Sequence, residues 1–387
     1  MNRFCPICSR SEKAHLYEQN FNNNVISLMK SYDVVVCENC GFVYADNIPS
    51  QAEFNNYYAV MSKYEFNYKD GIVSNDYINY YTKIVNFLIP YINNNNARIL
   101  DMGCSTGCLL SIFKLNGYSN LSGIDPSSSC VRTAKELYNI EATVNNISNF
   151  NTNKKFDLII LSAVLEHLVD FSNSMKKIRS LLKDRGLLFI EVPDAERFRL
   201  YISAPFQQFS IEHINYFSQY SMRNLLSKFS FRILEMQQNE NKLNLTIDPD
   251  IFVLSRKTDE NNFKIIKDNI CELKIRNYIL RCSKVDSEVK EIIQKKILNK
   301  DKIIVWGVGT HTQRMIGSGS LDLSKVLFFV DSNTRYSGKR INGIEIKSPG
   351  DIKENVPILI STYSYQEEVI RQIRETLKLK NEIIKIY

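Results

Sequence analysis

Histidine is scarce in this chain: it occurs four times in 387 residues, at positions 15, 167, 213 and 311. Chemistry that needs an imidazole must draw on that short stock. Long apolar runs are absent as well. No window approaches the ~18–20 uninterrupted apolar residues that a membrane-spanning helix requires. The start, Met1-Asn2-Arg3-Phe4-Cys5-Pro6, lacks the apolar core of a secretory signal, so a cytoplasmic location without membrane attachment is expected. No Gly-Lys-Ser/Thr follows a glycine-rich loop, which excludes the phosphate-cradling loop of nucleotide hydrolases. There is no basic tract, and a net charge of +7 is modest for this length, so nucleic acid is not an expected partner.

What remains is an ordinary globular composition, with 44% hydrophobic and 24% charged residues. At ~100–200 residues per domain, the length implies two or three domains. Pattern divides the chain into a cysteine-containing module (1–50), a Tyr- and Asn-rich helical lid or linker (51–95), an α/β core (96–257), a charged helical connector (258–298) and a second, smaller α/β domain (299–387). In the core, short apolar runs at 99–101, 121–125, 156–162 and 186–192 read as buried strands. Amphipathic stretches at 109–115, 130–138 and 173–182 read as the helices between them. That rhythm predicts a doubly wound parallel sheet covered on both faces. The alternation restarts at 303–306, 326–330 and 357–361, with a helix over 365–377.

The first core strand runs into Ile99-Leu100-Asp101-Met102-Gly103-Cys104-Ser105-Thr106-Gly107. A carboxylate ends the strand, and two glycines let the backbone turn sharply beside a ligand. Ligands of open α/β sheets bind beyond the carboxyl ends of the strands, near the topological switch point. The spacing is not that of a dinucleotide fingerprint. It resembles the first motif of class I S-adenosylmethionine-dependent methyltransferases. Asp125 ends the next strand, 24 residues after Asp101, where an acid would accept from two ribose hydroxyls. The resemblance adds Asn146 as an adenine contact. It also takes in the fourth-strand stretch Phe156-Asp157-Leu158-Ile159-Ile160-Leu161-Ser162-Ala163-Val164-Leu165-Glu166-His167-Leu168, with Ser162 beside the cofactor and His167 at the pocket edge.

Cys5-Pro6-Ile7-Cys8 and Cys37-Glu38-Asn39-Cys40-Gly41 form two C-x2-C pairs with 28 residues between them. Four thiolates within reach of one tetrahedral ion suit a structural zinc, and the long spacer predicts a small β excursion over 25–36. Residues 1–48 carry four basic side chains (Arg3, Arg10, Lys13, Lys30) against five acidic ones (Glu12, Glu18, Asp33, Glu38, Asp46). A net charge of −1 is a poor phosphate-binding surface. The module is therefore expected to close over a small substrate, while a grip on RNA is the alternative. His15 lies within it and is at most a spare ligand. The other five cysteines (Cys104, Cys108, Cys130, Cys271, Cys282) lack ligand spacing and are expected to be small buried side chains.

Methyl transfer to a sugar hydroxyl, or to a carbon beside a carbonyl, needs a base. His213 lies in Phe209-Ser210-Ile211-Glu212-His213-Ile214-Asn215-Tyr216-Phe217-Ser218, after the fifth strand, on the sheet's carboxyl side. This stretch resembles the Glu-His segment of zinc-knuckle, tridomain methyltransferases that act on nucleotide-linked sugars. The resemblance implies Glu212 and His213 as catalytic residues; His167, by its place after the fourth strand at the pocket edge, is a third candidate, and Tyr216 is expected beside the substrate. C-methylating members carry an aromatic hydroxyl two residues before the Glu. Ser210 stands there instead, which leaves O-methylation open beside C-methylation. Tyr57, Tyr58 and Tyr64 read as a lid, Tyr58 towards the substrate.

In the C-terminal domain, Ile304-Val305-Trp306-Gly307-Val308-Gly309-Thr310-His311 is another strand entering a glycine-rich turn, and Asp331 follows Gly307 by 24 residues. The third glycine of an NAD site is missing. Gly307, Gly309 and His311 could still hold a pyrophosphate at the helix start. The run Phe329-Val330-Asp331-Ser332…Gly338-Lys339-Arg340-Ile341-Asn342-Gly343…Ser348-Pro349 resembles a Rossmann-like module of nucleotide-sugar and surface-polysaccharide enzymes. The expectation is therefore a Rossmann-like methyltransferase core between a zinc-binding module and a Rossmann-like tail, acting as monomer or homodimer on a nucleotide-sugar. Its biosynthetic setting would be surface glycan or deoxysugar. An RNA or protein methyltransferase and a non-catalytic nucleotide-binding scaffold are the alternatives.

Overall fold

The computed structural model describes residues 2–21, 28–61, 68–69, 72–243, 245–260 and 263–387. Tyr64 and the first part of the expected excursion at 25–36 lie outside them. Strands β1 (Lys13–Asn20), β2 (Ser31–Cys37) and β3 (Val43–Asp46) pair antiparallel at the N-terminus. Helix α1 (Gln51–Met61), a hairpin of β4 (Tyr68–Lys69) and β5 (Ile72–Val73), and α2 (Asn75–Leu88) lead into the core. The core runs β6 (Ile99–Met102), α3 (Cys108–Leu115), β7 (Leu121–Asp125), α4 (Ser128–Tyr138), β8 (Ala142–Val144), β9 (Phe156–Ser162), α5 (Phe171–Leu181) and β10 (Leu182–Pro193). Then come β11 (Asn215–Tyr216), α6 (Gln219–Lys228) and a long hairpin of β12 (Phe231–Leu243) and β13 (Thr246–Lys257). Helix α7 (Cys271–Ile297) crosses to the C-terminal domain. That domain contains β14 (Ile303–Trp306), α8 (Thr310–Gly317), β15 (Val326–Val330), β16 (Arg340–Ile341), β17 (Ile344–Lys347), β18 (Ile358–Ile360), α9 (Gln366–Arg371) and β19 (Ile383–Lys385).

The core sheet has the order β12-β13-β10-β9-β6-β7-β8. It is mixed rather than wholly parallel: β13 runs antiparallel to β10, and β12 antiparallel to β13. Sequence pattern missed this hairpin because β12 lies at an edge and reads Glu235-Met236-Gln237-Gln238-Asn239-Glu240 where a buried strand would be apolar. Strand order reverses between the parallel neighbours β6 and β9, with β7 and β8 added on one side and β10 on the other, so the crevice for a ligand opens beyond Asp101 and Ser162.

Alternation along the strands builds two cores. Leu100, Ile159, Leu161, Ile190, Ile251 and Val253 face α5 and α6, which present Phe171, Met175, Met222 and Leu225. Ile99, Leu158, Ile160, Phe189 and Phe252 face α2 and α3, which present Ile84, Leu88, Leu110 and Phe113. Cys5, Ile7, Val35 and Phe42 join the first core, so the N-terminal module is packed onto the core sheet. Nor is that module self-contained. Its sheet has the order β1-β2-β3-β11, with Asn215 opposite Tyr44 and Tyr216 opposite Val43. The C-terminal sheet, β16-β17-β15-β14-β18-β19, is parallel apart from the β16–β17 pair.

Candidate active site

Asp101 stands at the carboxyl end of β6, 3% exposed, and its carboxyl is pushed up to about 8 by burial and by the nearby Asp125 charge. Beyond it the chain turns through Gly103 (φ +91°), Ser105 (φ +48°) and Gly107 (φ +80°) before α3 begins. A Cβ at Gly103 would come within 2.7 Å of Val164 Cγ2, and the left-handed φ alone disfavours any side chain. Asp125 accepts from the amides of Ser105 and Ser127, both at 2.9 Å. Burial raises its carboxyl to about 6 against the pull of those two bonds. Loop and acid are thereby tied together, and the donor set fits S-adenosylmethionine: backbone amides, two buried acids and a turn of minimal bulk. The amide of Asn145 donates to the Asp125 carbonyl (3.0 Å), and Asn146 caps the next turn by accepting from Asn149 N (3.0 Å). Ser162, at the end of β9, donates to Glu191 Oε2 (2.9 Å) and lies 3.3 Å from the Tyr80 hydroxyl.

The second cluster forms where a 3₁₀ turn after β9, Leu165–His167, meets the loop that leads to β11. His167 Nδ1 lies 3.0 Å from the Glu212 carbonyl and 3.0 Å from the Tyr58 hydroxyl. A carbonyl only accepts, so Nδ1 carries the hydrogen and Nε2 faces Glu166 Oε1 at 3.7 Å. The His167 and His213 rings meet edge to face with centroids 5.0 Å apart. One ligand atom from each of Glu166, His167 and His213 lies within 4.8 Å of the others. Glu166 is 1% exposed, and burial together with the Glu191 charge raises its carboxyl well above the usual range. Tyr57 donates to Glu212 Oε1 (3.0 Å) while packing on the C-terminal core.

The loop itself is fixed from below. Ser210 Oγ accepts from Glu212 N (3.3 Å) and His213 N (3.1 Å). The Tyr32 hydroxyl donates to the Ser210 carbonyl (2.9 Å), and the Tyr216 hydroxyl lies 3.1 Å from the His213 carbonyl. Tyr216 is 1% exposed, so its contact with the site runs through His213. Arg3, also buried, donates to the carbonyls of Ala45, Ile214 and Val169 and to Asn215 Oδ1 at 2.9–3.3 Å. Glu166 and Arg3 did not stand out as site residues in the sequence, whereas Tyr57 was expected in a lid and is found holding Glu212. Only the Glu166-His167 pairing carried a signal there.

The four cysteine sulfurs, Cys5, Cys8, Cys37 and Cys40, converge within 4.8 Å of one another, with Cys5–Cys40 at 3.5 Å and Cys8–Cys37 at 3.4 Å. Zinc–sulfur bonds of ~2.3 Å in a tetrahedron place sulfurs ~3.8 Å apart, so this cluster fits such an ion. The remaining five cysteines are buried. His15 lies apart from the sulfurs, 3.4 Å from Asp33 on the module's outer face.

In the C-terminal domain the arrangement around Asp125 recurs. Asp331 accepts from Val308 N (3.0 Å) and Asn333 N (2.8 Å), and Gly307 N donates to the Val330 carbonyl (2.7 Å). A Cβ at Gly309 would meet open space. His311 Nε2 pairs with the Tyr387 hydroxyl (2.9 Å), and burial lowers its pKa to about 3, so it stays neutral. A surface cleft of about 360 Å³ lies elsewhere, at the amino ends of β9 and β10 beside Tyr91, Asp157, Lys183 and Arg256. It contains none of these groups.

Residues 74–236 match the family model described as a methyltransferase domain, and residues 299–384 match one described as C2185-like, N-terminal. The chain is 27% identical over 198 residues to the carboxy-S-adenosyl-L-methionine synthase of Campylobacter fetus subsp. fetus, spanning 46% of this chain and 84% of that protein. It is 29% identical over 98 residues to the ubiquinone biosynthesis O-methyltransferase of Bradyrhizobium diazoefficiens, spanning 24% of this chain and 38% of that protein. Among solved structures, the magnesium protoporphyrin IX methyltransferase of Synechocystis PCC 6803 with bound SAH superimposes with a TM-score of 0.43. That pair is 16% identical and covers 54% of this chain and 99% of the other. No described helix is long and apolar enough to cross a membrane. With the motif, the acids and the family match in agreement, residues 74–236 are a class I S-adenosylmethionine-dependent methyltransferase domain, and the protein is a methyltransferase.

Proposed function

We propose that the protein methylates a sugar, nucleotide-linked, with His213 as the base that takes the acceptor's proton. The observation that carries this reading is the meeting of His213, His167, Glu166 and Glu212 beside the carboxyl ends of β9 and β10. Asp101, Gly103, Gly107, Asp125 and Asn146 would hold the cofactor, which supplies an electrophilic methyl group when bound. The chain's own part is alignment and proton removal. Ser210 and Tyr216 fix the backbone that presents His213. Tyr57 holds Glu212, and Tyr58 sits over His167. Buried Glu166 faces His167 Nε2 at 3.7 Å and fixes the orientation of that ring. The hydroxyl of Ser210 accepts from two backbone amides, a structural duty that favours O-methylation over a C-methylation needing an aromatic hydroxyl there.

Gly307, Gly309 and His311 are proposed to receive the nucleotide's pyrophosphate on the open backbone at the start of α8, with Asp331 facing its ribose. Four cysteine thiolates are proposed to hold one structural zinc. Incubation with methyl-labelled S-adenosylmethionine and a panel of nucleotide-sugars, with bulk RNA in parallel, tests the substrate. Label in a sugar supports the reading, and its position separates oxygen from carbon. Label in RNA alone, or in no sugar, overturns it.

A further inference from the structure

Beside the His213 cluster lies a polar patch that the proposed proton transfer does not use. Ser162 of β9 stands in register with Glu191 of β10. Glu191 is opposite Phe252 of β13, and Asp250 is opposite Pro193. Across the next ladder Asp250 faces Asn239 of β12. Directly opposed residues share a face of a sheet. Phe189 and Phe252 belong to the core under α2, so Ser162, Glu191, Asp250 and Asn239 all stand on the α2 side, at its carboxyl end.

A buried polar patch is normally cross-linked within itself. Here both carboxyl oxygens of Asp250 and the Nδ2 of Asn239 are buried without a hydrogen-bond partner among the described residues. Asp250 is 2% exposed. Glu191 takes a bond from Ser162 (2.9 Å), and Glu166 Oε2, at the histidine end, is also buried and unpartnered. Burial and the Glu191 charge raise the Asp250 carboxyl to about 9, against a weaker pull from Lys83 and Arg197. Lys83 donates to the Glu240 carbonyl, and Arg197 to the Asp194 carboxylate and to the main-chain carbonyls of Asn239 and Asp250, the latter at 3.1 Å, leaving the Asp250 side chain unmatched.

We propose that Asp250 and Asn239, backed by Glu191, form a recognition subsite for a protonated amine next to a hydroxyl or carbonyl oxygen on the methyl acceptor. An ammonium has three donors for side-chain oxygens that have none, and its charge offsets carboxyls that have no ion-pair partner among the described residues. The Asn239 amide donates to the neighbouring oxygen. A lone hydroxyl brings no charge to hold Asp250 ionised, so it gains less there than an ammonium. A metal ion does not fit, since Asp250 joins no set of three acidic, histidine or cysteine ligand atoms within 4.8 Å among the described residues, and an amide NH2 does not ligate. The inference rests on the acceptor being a sugar and deepens it to an amino sugar.

Calorimetric titration of the full chain with D-glucosamine, D-glucose, N-acetyl-D-glucosamine and trans-2-aminocyclohexanol tests it, with Asp250→Asn alongside. We expect the two free amines to bind at least tenfold more tightly than the two neutral sugars, and Asp250→Asn to erase that preference. Equal binding of all three sugars would overturn the amine subsite and leave the sugar reading intact. Binding of aminocyclohexanol but not glucosamine would uphold the amine and reject the sugar. No binding of either amine, or a preference unchanged in Asp250→Asn, would overturn the subsite. The wild-type preference is read without the variant, so a folding defect in Asp250→Asn leaves the test in force.

Discussion

At the residue scale, two groups separate binding from chemistry. His213→Ala is expected to lower kcat by ~100-fold or more while leaving cofactor affinity, measured by calorimetry, unchanged. Turnover equal to wild type would remove His213 from the mechanism. Asp101 makes the complementary case. Its carboxyl ionises at about 8 in the folded chain and near 3.8 when unfolded, so the folded state holds the proton more tightly. Stability from this group is therefore complete below pH 3.8 and is lost as pH rises towards 8. Asp101→Asn should remove that loss. In ligand-free protein its unfolding free energy should fall less than the wild type's between pH 5 and 8.5, by an amount on the order of a few kcal/mol, read as a smaller drop in Tm. Cofactor binding should weaken in the same variant. Identical pH slopes for the two proteins would contradict the burial argument. Positions like these were legible in the sequence because strand ends and glycine turns leave local marks. Glu191, Asp250 and Asn239 were not, since their meeting depends on register across three strands.

At the element scale, the β2–β3 turn shows how tightly the cysteine module is set. Gly41 has φ +77°, and a Cβ there would sit 2.0 Å from the Asp268 carbonyl oxygen. Asp268 N in turn donates to the Cys40 carbonyl (3.0 Å), so the turn and the segment before α7 are locked together. Gly41→Ala should lower Tm and release metal, read by atomic absorption, and full metal content would argue against the lock. Cys37→Ser should lose the metal too, with faster amide exchange confined to β1–β3; protein purified without chelator and found free of zinc would refute the site. Much of the element inventory was readable in advance. The expected strands at 121–125 and 156–162 coincide with β7 and β9, and those at 303–306 and 326–330 with β14 and β15. Apolar runs bounded by turns are sufficient for buried parallel strands. They fail for β12, whose exposed face is polar, and for β11, two residues long, which no periodicity can reveal.

At the scale of the whole molecule, three modules meet on one loop. Tyr57 ties the C-terminal core to Glu212, Arg314 of α8 lies over the Phe206 ring at 5.2 Å, and Arg3 ties the N-terminal sheet to Ile214 and Asn215. Removing the Arg3 guanidinium strands several buried acceptors at ~1–3 kcal/mol each. Arg3→Leu should therefore cost stability by denaturant melts and lower kcat together, although Arg3 touches no reacting atom. A stable variant with full activity would show that the loop holds itself. The shared sheet has a further consequence during synthesis. The free edge of β3 finds its partner only when Asn215 and Tyr216 have been made, on the order of ten seconds after Asp46 at ~5–20 residues per second. Until then the nascent N-terminal module carries an open strand edge, and the strand that closes it also delivers His213 to its place.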